Sequence, residues 1–106
     1  DVWPQGRVLG YTWGMCRTRF SDKGFEPKLL TPGEKLRLEI SLGFISAYFE
    51  KGHRIGLEIM SSFYPAVNRN TNSGQPSGSA AQCSRATQQI FFGAASPSAL
   101  SLPVES

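Results

Sequence analysis

Lys35-Leu36-Arg37-Leu38-Glu39-Ile40-Ser41-Leu42 is the stretch that decides the fold class. Aliphatic residues fill every second position, and two cations, an anion and a hydroxyl fill the gaps. Successive side chains of a strand point to opposite faces. A period of two therefore sends Leu36, Leu38, Ile40 and Leu42 one way and Lys35, Arg37, Glu39 and Ser41 the other, the pattern of a half-buried strand. Thr31-Pro32-Gly33-Glu34 leads into it: proline presets its own φ and glycine accepts a positive one, which is the chemistry of a tight turn.

The same period returns after a turn expected at Lys51-Gly52. Ile55, Leu57, Ile59 and Ser61 alternate there with Arg54, Gly56, Glu58 and Met60. Upstream, 7–11 and 15–20 read as short β-prone segments separated by Thr12-Trp13-Gly14. Downstream, 88–92 and 99–102 read as two more, parted by Gly93 and by Ser96-Pro97. Between the two groups lies 68–84, rich in Asn, Ser, Gly, Gln and Pro and without periodicity, predicted to be a long polar loop. No segment carries apolar residues at i, i+3, i+4 and i+7 over three turns. The expectation is one all-β domain over 1–106, an antiparallel sandwich.

With 106 residues, 40% hydrophobic and 18% charged, the chain is apolar enough to fold, and a domain this small has a thin stability margin. The formal charge is +3, but the basic residues are dispersed and interleaved with Glu26, Glu34, Glu39, Glu50 and Glu58. That is an ordinary solvated surface, so neither nucleic acid nor a membrane is expected as a partner. No apolar run approaches the roughly 20 residues needed to cross a bilayer, and the N-terminus lacks the design of a signal peptide. A soluble, cytoplasmic chain is the expectation. Cys16 and Cys83 have no close-spaced neighbour of the kind zinc ligation uses. Two free thiols are expected, with a single bridge as the alternative in an oxidising compartment.

Serine catalysis needs a base within hydrogen-bond reach and a third group to orient it. The one histidine is His53, which stands after Gly52 at the start of a strand and reads as a histidine held by packing and a backbone hydrogen bond. Ser61 and Ser62 lack the spacing of a strained nucleophile elbow. No carboxylate pair, metal-ligand cluster or phosphate-binding loop suggests itself, so no catalytic residue, metal or cofactor is assigned. What remains is a block from Gly52 to Pro65 followed by Asn68-Arg69-Asn70-Thr71-Asn72-Ser73-Gly74. Asn70 and Asn72 can bond their own backbone and tolerate left-handed geometry, so they read as a turn. As a candidate docking or ligand loop, Tyr64, Arg69, Asn70 and Asn72 could grip a partner or a sugar. Trp3, Tyr11, Trp13, Phe63 and Tyr64 could stack on a sugar ring, and core packing is their alternative role.

This block resembles the signature of the C-terminal domain of hydrolases of the cocaine esterase and glutaryl acylase type, the X-Pro dipeptidyl-peptidase C-terminal domain. Asp1-Val2-Trp3-Pro4-Gln5-Gly6-Arg7 is similar to that family's D-V-x-P-D-G motif, Leu30-Thr31-Pro32-Gly33-Glu34 to its L-x-P-G-E turn, and Phe49-Glu50-Lys51-Gly52-His53-Arg54-Ile55 to its F-x-x-G-H-R-I. Gly14 to Phe20 and Pro97 to Val104 resemble two further strands. The chain departs from the family at Gly56, where a basic residue is usual, at Gln5, where an acidic one is, and at 63–68.

The resemblance implies a jelly roll of the galactose-binding-like kind, incomplete here because the family's first strands precede the Asp-Val motif. It also implies a bacterial source. In that family the catalytic triad belongs to a separate α/β-hydrolase domain, so no catalytic residue carries over. The function implied is a non-catalytic accessory domain that shapes a cleft or mediates oligomerisation. Its partners would be a hydrolase domain and, through exposed edges, further copies of the chain as a homodimer or larger assembly. The alternative is a free-standing carbohydrate- or small-ligand-binding module.

Overall fold

The computed structural model describes residues 1–21, 25–76 and 81–105. They fall into two units, Asp1–Ser61 and Ser62–Ser106.

The first unit is built on turns. Gly6 N–H donates to the Trp3 carbonyl and Trp3 N–H to the Arg7 carbonyl, each at 2.9 Å. This is a three-residue hairpin loop with Pro4 entering it and Gly6 at φ +91° closing it. The two arms are joined again where Asp1 N donates to Leu9 O at 2.8 Å and Leu9 N–H returns a bond to Asp1 O at 2.9 Å. Two further turns form where proline and glycine chemistry places them. Glu34 N–H reaches the Thr31 carbonyl across Pro32-Gly33, and His53 N–H reaches the Glu50 carbonyl across Lys51-Gly52. Gly33 and Gly52 take φ +83° and +93°, a region that a side chain resists and glycine does not.

The expected all-β antiparallel sandwich, with its jelly-roll and galactose-binding-like topology, is not what the chain forms. Among the described residues there is no sheet. Pairing is confined to isolated antiparallel bridges, Val2 with Val8 and Val2 with Arg54. The segment 15–20, read as β-prone, ends instead in a 3-10 turn at Thr18–Phe20.

The physical reason is visible at the decisive run. Alternation fixes which side chains share a face; it does not supply a neighbour whose backbone N–H groups meet this backbone in register. At Leu42 the carbonyl accepts from the Thr12 hydroxyl, a side-chain donor in the place of a ladder amide. Gly43 follows at φ +76° and turns the chain away. In the second unit the Ser98 hydroxyl takes the Phe91 carbonyl at 2.7 Å, while a turn at Gly93–Ser96 brings the two segments together. Side chains that bond backbone compete with the ladder there too.

Exposure follows. The faces of the Leu36–Leu42 run remain distinguishable, with Leu38 38% exposed and the Arg37 side chain 91% exposed. In the second run they are not: Ile59 and Met60, assigned to opposite faces, are 53% and 52% exposed. Counted with its main chain, no described residue is buried as a whole, although single side chains are.

Candidate functional site

The best-organised cluster lies in the first unit, where the hairpin of 1–9 meets the turn of 50–53. Val2 and Arg54 exchange both backbone bonds, N–H to carbonyl at 2.8 and 2.9 Å. That makes Val2 the middle of a short three-segment ladder, 7–9 on one side and 53–55 on the other. The approach is close enough that a Cβ on Gly56 would stand 2.8 Å from Val2 Cγ2.

On this backbone the Asp1 carboxylate meets His53. Nδ1–H donates to Asp1 Oδ2 at 2.9 Å and to Oδ1 at 3.0 Å. The two side chains are only 3% and 9% exposed, in a chain that otherwise buries little. On the far side of the ring, Nε2 stands 3.9 Å from Glu50 Oε2. Trp3 lies against the imidazole with ring centroids 5.1 Å apart, and the Arg7 guanidinium sits 4.9 Å from the Trp3 centroid, within cation–π range. Trp3 Nε1 is buried without a hydrogen-bond partner among the described residues.

Chemically, this is a histidine with a carboxylate on each side. A general base for a serine needs one ring nitrogen on the nucleophile and the other on the orienting acid; here Nδ1 is on Asp1, and Nε2 is 3.9 Å from Glu50 Oε2, beyond hydrogen-bond reach. The sequence expectation is a histidine held by packing and a backbone hydrogen bond; the ring is held instead by the Asp1 carboxylate 52 positions away, with Trp3 against it. Asp1 and Trp3 were not foreseen as its neighbours. The signal available was that two separate motif blocks, Asp1–Arg7 and Phe49–Ile55, each carry one half of the pair.

The loop proposed from sequence lies in the second unit, and part of 68–84 falls outside the described residues. Asn72 takes φ +51°, and its N–H donates to Asn70 Oδ1 at 3.2 Å. Its side-chain Nδ2 donates to the Ser84 carbonyl at 3.2 Å, and Ser84 N–H returns to the Thr71 carbonyl at 2.8 Å. The two asparagines thus use their amides to tie the loop to itself. Tyr64 and Arg69 are exposed on the same unit. Of the aromatics considered for stacking, Trp3 is engaged as above, and Tyr11 packs edge-on to Phe49 at 5.7 Å. Cys16 and Cys83 are both free thiols. No helix among the described residues is long and apolar enough to cross a membrane.

The two motif blocks that meet at the Asp1–His53 pair lie within a single family match. The model of the X-Pro dipeptidyl-peptidase C-terminal non-catalytic domain matches residues 1–101. The chain belongs to this family. The X-Pro dipeptidyl-peptidase C-terminal domain is thus represented here over nearly the whole sequence. Cocaine esterase of Rhodococcus sp. (strain MB1 Bresler) is 35% identical over 74 residues, which are 70% of this chain and 13% of that protein. The chain therefore spans about an eighth of the length of the relative it matches. No solved structure matches it.

Proposed function

We propose that this X-Pro dipeptidyl-peptidase C-terminal domain is an accessory part of a serine hydrolase of the cocaine esterase kind, packing an apolar surface onto the hydrolase body and shaping its substrate cleft. The observation that carries the reading is exposure. Among the described residues no hydrophobic one is buried. Phe25, Phe44, Tyr48 and Phe92 are among the large side chains left in water.

Large apolar side chains left in water favour a covering partner over a free-standing domain. In isolation the same surface is satisfied by further copies of the chain, so self-association is the expected state of the separate domain.

Multi-angle light scattering tests this on the isolated chain and on its mixture with an α/β-hydrolase body stripped of its own C-terminal domain. The expected results are self-association at micromolar concentration alone and a one-to-one complex with the body. A stable monomer that ignores the hydrolase body overturns the reading.

A further inference from the structure

We infer that the Asp1–His53 pair is a buried clamp on which the three-segment ladder of the first unit depends, and that this is the common purpose of the two motif blocks it joins. The ladder has little else to hold it. Its backbone bonds are those between Val2 and Arg54, Asp1 and Leu9, Trp3 and Arg7, and the turn bond from Gly6. Each is a small net gain against water, and ordering the residues that make them opposes folding by a larger amount. No described hydrophobic residue is buried as a whole to offset that.

The pair differs from these bonds in kind. Its carboxylate and imidazole are 3% and 9% exposed, so each has given up water for the other. A partner removed would leave the survivor desolvated and unpaired, the situation in which a buried polar group is most destabilising. The bond also fixes register. A slip of one residue between 1–3 and 53–55 would turn Asp1 or His53 to the opposite face of the ladder. Gly52, at φ +93°, delivers His53 at the end of its turn, and Pro4 Cγ lies 3.9 Å from where a Gly52 Cβ would be. Trp3 and Glu50 border the ring on its remaining sides.

Amide hydrogen exchange in the full chain tests the clamp with Asp1→Ala, His53→Ala and the double variant. Each single change should speed exchange of the Val2 and Arg54 amides on the order of a hundredfold. The Ser84 amide, in the other unit, serves as the reference and should not change. The double variant, which leaves neither group unpaired, should exchange more slowly than either single. Unaltered Val2 and Arg54 amides in the singles would overturn the inference. So would a double variant whose acceleration is the product of the two, because independent groups multiply and a clamp does not. Should a single variant unfold the chain and speed Ser84 as well, the double decides: partial recovery supports the clamp, and none refutes it.

Discussion

Gly56→Ala is the most direct probe of how closely the ladder packs. The added Cβ would stand 2.8 Å from Val2 Cγ2, whereas carbon atoms rest at about 3.5–4.0 Å. Roughly 0.7 Å must be recovered, by the lower end of that range. Valine is stiff at χ1, so its methyl cannot simply rotate away. Its backbone is tied to Arg54 by two hydrogen bonds, so the whole pair must shift. Overpacking of this sort costs about 1–3 kcal/mol. The lower entropy of an alanine in the unfolded chain returns about 0.4–1 kcal/mol, leaving a net destabilisation of about 1–2 kcal/mol, or roughly five- to thirtyfold in the closed-to-open ratio.

The chain contains its own control. Gly10 has nothing within 4 Å of the equivalent Cβ position, so Gly10→Ala should be neutral or slightly stabilising. Exchange at the Arg54 amide, measured in both variants, separates them. Equal protection in the two would refute the close approach, and Val2→Ala added to Gly56→Ala should restore protection by removing the methyl.

Two other outcomes follow from the structure. Asn72→Ala loses the bond to the Ser84 carbonyl and places a Cβ-bearing residue without a polar side chain at φ +51°; it should cost about 1–2 kcal/mol, read as faster exchange at the Ser84 amide, with Asn72→Gly costing less. Phe44→Ser changes a side chain that touches little, since Phe44 is fully exposed; unfolding by urea should shift by no more than about 0.5 kcal/mol, while self-association in light scattering weakens.

What the sequence made legible is what depends on near neighbours. The turns at Thr31–Glu34 and Glu50–His53 were readable because Pro32, Gly33 and Gly52 carry their conformational preference within a residue or two. The Asn70–Asn72 turn was readable for the same reason, an amide reaching its own backbone two positions on. The Asp1–His53 pair was not, because nothing local to either residue names the other. The family motifs contained both halves, and only the fold brought them together.

The sandwich failed for a different reason. Period two in Leu36–Leu42 is a statement about one segment, whereas a sheet is a statement about two. Register must be imposed from outside the segment by a turn of the right length or by a side-chain pair that tolerates no slip. Both devices exist at 1–9 and 50–56, and there the ladder forms. At Leu42 the Thr12 hydroxyl takes the carbonyl instead, and the aliphatic face that the alternation lined up stays half in water. Apolar rows left half exposed are what the proposed hydrolase body would cover, and a body that also supplied a strand in register would give this alternating run the neighbour that its own sequence does not specify.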